Sequence, residues 1–207
     1  MVLAEKLIIF TRYPQAGTTK TRLIPALGAV GAAELQRWLS ERTVLMGRKL
    51  AASRGAALEV RYAGGDAATI ANWLGADLLT APQDEGDLGE RLSRSFDTAR
   101  DQGFHRVVLV GADCPDLSLE ILQDAFTALA GLDLVLGPAR DGGYYLIGLS
   151  RPAPELFRGQ SWGAAGLLTA TLAIAQSLGF SVQLLEELAD VDRPEDLHHL
   201  GDYPDLQ

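Results

Sequence analysis

Cysteine is nearly absent from this sequence: Cys114 stands alone among 207 residues. An internal disulfide is thereby excluded, and a cytoplasmic setting is expected. Histidine is almost as scarce. His105 is isolated, and His198 and His199 are adjacent, whereas two ligands on one helix face need a spacing of about four residues. No Ser-His-Asp set and no Cys-rich zinc spacing is apparent. Cys114, with no histidine placed by the sequence to activate it, reads as a small buried residue rather than a nucleophile. Positive charge is also in deficit, 18 Lys and Arg against 27 Asp and Glu, for a net charge of −9. That balance argues against a nucleic-acid partner and requires any phosphate-binding site to gather its few cations locally. Long apolar runs are missing as well. The stretch before Arg12 is too short for a signal-peptide core or a membrane span. No low-complexity tract, Pro/Ser-rich linker or fixed-period repeat appears, so residues 1–207 are expected to form a single domain.

What is present begins with RVVLVGADCPDL, Arg106 to Leu117. Val107 to Val110 have the length and β-branched composition of a strand buried on both faces of a parallel sheet. The strand stops at Gly111 and delivers Asp113 just beyond its end, with Pro115 forbidding simple continuation. In open α/β sheets ligands bind outside the carboxyl ends of the strands, so Asp113 is placed to hold a cation or a substrate, although an Asp there also suits a turn cap.

Leu7 to Phe10 predict another buried strand, followed by a loop, TRYPQAGTTKTRL, that carries Arg12, Lys20 and Arg22 around Pro14 and Gly17. This is the local cation cluster the charge balance demands, and it suits a di- or triphosphate. It is not a P-loop, because Thr19 stands where that motif needs glycine. Helix is expected from Val30 to about Arg54, then an alternating strand over Leu58–Ala63. A short helix near Ala67–Leu74 with Asp66 as N-cap and a brief strand at Asp77–Thr80 follow. In APQDEGDLGERL, Gly86 and Gly89 permit close backbone approach, while Gln83 offers a donor and an acceptor to a nucleobase edge. Leu88, Leu92, Phe96 and Ala99 continue as a helix. Arg91 falls in its first turn, where a substrate anion or an ion pair with Asp87 or Glu90 would explain it.

Beyond the central strand, helix is expected over Ser118 to about Ala130 and strand over Leu132–Leu136. Asp141-Gly142-Gly143 turn the chain into a returning strand at Tyr144–Leu149, so the sheet is expected to be mixed. A loop bearing Trp162, a helix over Ala164–Leu178 and a strand over Ser181–Leu185 precede the closing EELADVDRPEDLHHL. There Asp190 and Asp192 lie two apart in an extended stretch, and only one of them is expected to point easily into a site. Pro194 then opens a helix, capped by Asp192 or Arg193.

Taken together, FTRYPQAGTTKTRL, QDEGDLGERL, GADCPDL, DGGYYLIGL and DVDRPEDL resemble, in that order, a bacterial domain-of-unknown-function family of GT-A-fold, glycosyltransferase-like proteins. That family is related to nucleotide-diphospho-sugar transferases and is similar to phospholactate guanylyltransferases. The resemblance runs from Leu7 to Leu197. It implies a GT-A-like, Rossmann-like α/β/α sandwich with a mixed, mostly parallel central sheet and a nucleotide over its N-terminal half. It further implies that Gly17, Lys20, Thr21 and Arg22 hold phosphates and that Gln83, Gly86, Leu88, Gly89 and Arg91 lie by the nucleoside. Asp113 and Asp192 would be the metal-binding carboxylates. Arg193 replaces the family's usual Thr in the last block, and Arg12 and Ala16 stand where Lys and Pro are more common.

A hard cation such as Mg²⁺ (or Mn²⁺) takes one or two carboxylates plus substrate phosphates, a description that Asp113 and Asp192 meet if the fold joins them. The expected reaction is transfer of a sugar from a nucleotide-diphospho-sugar to a small-molecule acceptor. Nucleotidyl transfer from a nucleoside triphosphate to a phosphorylated acceptor, and a non-catalytic nucleotide-binding module, are the alternatives. Lys20 and Arg22 would offset phosphate charge, Asp141 would act as base, and Asp141, Tyr144 and Trp162 would face the acceptor.

Overall fold

Seven strands in the order β3-β2-β1-β4-β6-β5-β7 form the central sheet of the computed structural model, which describes residues 4–201. The strands are β1 (Glu5–Arg12), β2 (Ala57–Ala63), β3 (Leu79–Pro82), β4 (Arg106–Gly111), β5 (Leu134–Pro138), β6 (Tyr144–Leu149) and β7 (Val182–Leu184). All neighbours pair in parallel except β6, which is antiparallel to both β4 and β5. The mixed sheet expected from the Asp-Gly-Gly turn is therefore present. Its α/β/α layering follows from the strand sequences, which are apolar on both sides and need cover on both.

On one face Leu7, Ile9, Val60, Val108, Val110 and Leu146 pack with Leu50 of α1 (Ile24–Arg54), Ile70 of α2 (Ala67–Leu74) and Phe126 of α4 (Leu119–Ala128). On the other, Ile8, Phe10, Leu109, Leu136 and Ile147 meet Leu92 and Phe96 of α3 (Leu88–Asp101) and Ala175 of α5 (Leu167–Ser177). Short 3-10 segments at Thr21–Leu23, Pro154–Phe157 and Pro194–Leu200 complete the described chain. No described helix is long and apolar enough to cross a membrane.

The helix starts follow their caps. Asp66 accepts from the Thr69 amide at 2.8 Å, and Asp87 and Glu90 form a reciprocal capping box that opens α3. Four expectations are corrected. The first helix begins at Ile24, with Pro25 in its first turn, and breaks at Gly28 (φ +71°) before running on. The strand expected at Asp77–Thr80 lies at Leu79–Pro82. The segment after Pro194 closes as a 3-10 helix, with Asp196 Oδ2 accepting from the Arg193 amide at 2.7 Å. Finally, the alternation of β2 does not mark a solvated face. This inner strand is covered on both faces, so its charges are buried and paired. Glu59 bonds to Lys6 and, at 2.8 Å, to Arg61, while the Lys6 ammonium donates to Gln102 at 2.7 Å.

Candidate functional site

The chain runs outward through β1, β2 and β3, then returns to lay β4 on the other side of β1. At this reversal the loops following β1 and β4 leave in different directions, and a crevice opens beyond the strand ends. A cavity of about 480 Å³ occupies it, lined by Arg12, Lys20, Gln83, Leu88, Arg91, Asp113, Asp141, Tyr144, Trp162, Asp190 and Asp192 among others. Residues from six separated stretches of sequence thus share one cleft. Gly17, Thr21, Arg22, Gly86 and Gly89 stand outside its lining.

The cation loop enters from the end of β1. Arg12 is exposed at the rim and makes no side-chain bond among the described residues. Gly17 supplies a left-handed turn at φ +82°. Lys20 also adopts a left-handed backbone, φ +45°, alone among the described non-glycine residues. Such a conformation costs roughly 1–3 kcal/mol and persists only when the surroundings hold it. They do: the buried Lys20 ammonium donates to Asp113 Oδ1 at 2.7 Å and to the Val191 carbonyl at 2.6 Å. Thr21 starts the short 3-10 turn, and Arg22 lies outside the cavity in an ion pair with Asp192.

Gln83 faces the cleft with its amide already engaged. Its Nε2 donates to the carbonyls of Thr11 and Arg61 at 3.0 and 3.1 Å, and its Oε1 accepts from Arg91 at 3.0 Å. The side chain therefore ties the ends of β1 and β2 to α3. Arg91 pairs with neither Asp87 nor Glu90 through its side chain, because both carboxylates serve the capping box. It reaches the Asp87 carbonyl at 3.3 Å and Gln83 instead.

The opposite wall is acidic. The main chain of Val191 donates to the Asp113 carbonyl at 2.9 Å, and Leu188 forms a single bridge to Ala139, which draws the closing segment against both β4 and the hairpin. Around these anchors the chain stays extended, and residues two apart in extended chain share a face, so Asp190 and Asp192 both line the cleft. This corrects the expectation that only one would. Burial, then the carboxylates of Asp141 and Asp113, push the Asp190 carboxyl above its ordinary range. Asp141 also serves its turn, accepting from the Gly143 amide at 2.8 Å. Cys114 is packed in the core beneath, and burial, with Asp113 and Asp190 beside it, drives its thiol well above its ordinary range.

Two glycines seat the Trp162 loop. A side chain on Gly142 (φ +90°) would meet the Ala165 carbonyl at 2.0 Å, and one on Gly89 would meet the Phe157 carbonyl at 2.2 Å and Trp162 Nε1 at 2.9 Å. The close approach that Gly89 permits is therefore to the protein's own loop. Trp162 stands edge-on to Tyr144 at 6.4 Å. Burial lifts the Tyr144 hydroxyl to about 12; it lies near the Thr171 hydroxyl, and neither makes a hydrogen bond of normal geometry. A polar strip that the apolar periodicity did not reveal also borders the site. Gln36, which faces the cleft, donates to Ser40 at 3.0 Å, and Ser40 shares a 2.6 Å bond with Thr11. Their spacing, i and i+4 on α1 beside the apolar stripe, was the available signal.

Among the described residues no three His, Cys, Asp or Glu side chains close into a metal site. Asp113, half exposed, and Asp190, which has no cationic side chain bonded to it among the described residues, still suit a hard cation whose remaining ligands come from a phosphate.

Sheet order, crevice and charge together define a nucleotide-transferase fold of the GT-A type. The chain belongs to the bacterial family of uncharacterized conserved proteins DUF2064, whose profile matches residues 45–164. A structure from Desulfovibrio desulfuricans G20, provisionally named a nucleotide-diphospho-sugar transferase, is 35% identical over 96% of this chain and 87% of that one, with a TM-score of 0.86. Two more distant structures share the fold. Rv0371c of Mycobacterium tuberculosis H37Rv in complex with manganese has 16% identity, 95% and 97% coverage and a TM-score of 0.54. The 4-diphosphocytidyl-2C-methyl-D-erythritol synthase of Anaerococcus prevotii has 11% identity, 96% coverage of both chains and a TM-score of 0.60. No curated protein sequence matches.

Proposed function

We propose that this protein is a metal-dependent glycosyltransferase that moves a sugar from a nucleotide-diphospho-sugar to a small, uncharged, hydroxyl-bearing acceptor. The observation that carries the reading is the balance of charge in the cleft. Three cations, Arg12, Lys20 and Arg91, line it together with four carboxylates, Asp113, Asp141, Asp190 and Asp192, and Lys20 is already bonded to Asp113. A diphosphate is favoured against the cations. A further phosphate, as nucleotidyl transfer to a phosphorylated acceptor requires, would add negative charge near Asp141 and Asp190, which have no cationic side chain bonded to them among the described residues.

In this reading Arg12 and Lys20 hold the diphosphate, and Leu88, Gln83 and Arg91 border the nucleoside. Tyr144 and Trp162 form an aromatic wall for the acceptor. Asp113, with Asp190 or Asp192, would hold a divalent cation, Mg²⁺ or Mn²⁺, which supplies charge neutralisation for the departing diphosphate. The acceptor oxygen attacks the anomeric carbon, the bond from that carbon to the diphosphate oxygen breaks, and Asp141 takes the hydroxyl proton. Support for nucleotide-sugar use also comes from the provisional name of the 35%-identical structure.

The test is incubation with a panel of nucleotide-sugars and nucleoside triphosphates in Mg²⁺ or Mn²⁺. Nucleoside diphosphate should appear from one nucleotide-sugar, and Asp113→Asn should lower its rate by at least about a hundredfold. Pyrophosphate release from a triphosphate, with no diphosphate release, would overturn the assignment in favour of nucleotidyl transfer. Binding without turnover of either class would reduce the protein to a nucleotide-binding module.

A further inference from the structure

Two of the three carboxylates considered for the metal are not free to receive it. Asp113 Oδ1 is bonded to the Lys20 ammonium at 2.7 Å, and Asp192 Oδ2 to the Arg22 guanidinium. Both cations come from one loop, two positions apart, and each reaches a carboxylate more than ninety residues away in sequence. Lys20 does so with its side chain 3% exposed, from a left-handed backbone that a lysine does not choose unaided. The same ammonium holds the Val191 carbonyl at 2.6 Å, between Asp190 and Asp192. One flexible stem therefore pins both parts of the acidic wall.

We propose that this loop is a latch: Lys20 and Arg22 occupy the carboxylates in the free protein and must be drawn off by a phosphate-bearing ligand before a divalent cation binds well. The inference rests on Asp113 being a metal ligand, as in the proposed function. A cation at Asp113 Oδ1 would compete with an ammonium for the same lone pairs and be repelled by its charge. A diphosphate removes the obstacle, because its oxygens accept from Lys20 and Arg22 while presenting further ligands to the metal. Lys20 keeps its bond to the Val191 carbonyl throughout, so the loop shifts its grip without leaving the cleft. Metal and diphosphate then bind with positive cooperativity, each raising the other's affinity by the same factor.

The latch makes a counterintuitive prediction, namely that removing a residue of the site improves metal binding. Binding of Mn²⁺ alone, followed by loss of the free-ion paramagnetic resonance signal at constant ionic strength, tests it. Lys20→Met should bind Mn²⁺ about tenfold more tightly than the unaltered protein, and Arg22→Gln, whose pair is more exposed, about threefold more tightly. Arg12→Gln removes the same charge without freeing a carboxylate and should change affinity by less than about twofold. With inorganic pyrophosphate as the second ligand, Mn²⁺ should raise pyrophosphate affinity by a smaller factor in Lys20→Met than in the unaltered protein.

Unchanged or weaker Mn²⁺ binding in a folded Lys20→Met protein overturns the latch, as does an equal gain in Arg12→Gln. Should Lys20→Met melt too low to assay, Arg22→Gln against Arg12→Gln decides on the same terms. Asp113→Asn separates the latch from the reading beneath it. If it binds Mn²⁺ as the unaltered protein does, Asp113 is not a ligand and the metal assignment itself falls.

Discussion

The two walls of the cleft are built by different means. The cationic wall rises from the parallel half of the sheet, where strand ends and helix starts set each group in place: Arg12 closes β1, Gln83 follows β3, and Arg91 lies in the first turn of α3. The acidic wall comes from turns and an irregular segment. Asp141 is held by its own turn, and Asp190 and Asp192 by main-chain bonds to β4 and to the hairpin. Regular elements fix direction through a repeating period, whereas the irregular wall depends on a few long-range bonds and on backbone conformations open only to glycine. The acidic wall should therefore be the more easily disturbed.

Gly142→Ala attacks that wall directly. Its φ of +90° and the Ala165 carbonyl oxygen, which would lie 2.0 Å from the added methyl carbon, both forbid a side chain, so the turn or the Trp162 loop must move. A loss of about 2 kcal/mol or more in thermal or denaturant stability is expected, with acceptor KM rising while nucleotide affinity holds within about threefold. Loss of nucleotide binding on the same scale would erase the distinction between the walls.

Arg12→Gln addresses the other side. With no side-chain partner among the described residues, the guanidinium can be removed without harm to the fold. The expected change is about a tenfold rise in nucleotide KM at unchanged melting temperature. A shift in acceptor KM instead would move Arg12 to the wrong wall.

Acid should weaken the β1–β4 half through Glu5. Burial by itself would raise this carboxyl, but hydrogen bonds and charge from Arg54 and Arg106 outweigh it and hold the group below its ordinary 4.5. A carboxylate depressed in the folded state contributes stability above the unfolded value and loses it as pH falls through the folded one. Melting temperature should thus decline below about pH 4.5, and Glu5→Gln should flatten that decline, as read by scanning calorimetry.

The smallest effect expected is that of Tyr144→Phe. Its hydroxyl is buried without a bond of normal geometry, so its removal should be neutral or stabilising by up to about 1 kcal/mol, with kcat/KM within about twofold. A large rise in acceptor KM would show that the hydroxyl, and not only the ring, meets the substrate.

Much of this architecture is written locally. The strand cores, the cap at Asp66 and the Asp-Gly-Gly hairpin follow from composition and period, because each is decided by neighbours within a few residues. Asp113 was legible for the same reason: an apolar strand that ends in Gly-Ala-Asp places a carboxylate at its tip. That Asp190 and Asp192 both enter the cleft was not, because the last segment is placed by bonds to β4 and to the hairpin, far along the chain. The Lys6–Glu59–Arg61 network was hidden too, as burial of β2 on both faces depends on elements far along the chain. The bonds of Gln83 to the strand ends and the close approach of Gly89 to the Trp162 loop were hidden as well, since their partners lie far along the chain.

The sequence by itself determined the α/β class, most of its elements and the supply of cations and carboxylates, all matters of short-range period and composition. Only the tertiary structure decided that these cations and carboxylates would share one cleft, and that Lys20 and Arg22 would grip Asp113 and Asp192. Those pairings span long stretches of chain. Their geometry is set by sheet order and by where the last segment lies against β4, which no local pattern encodes.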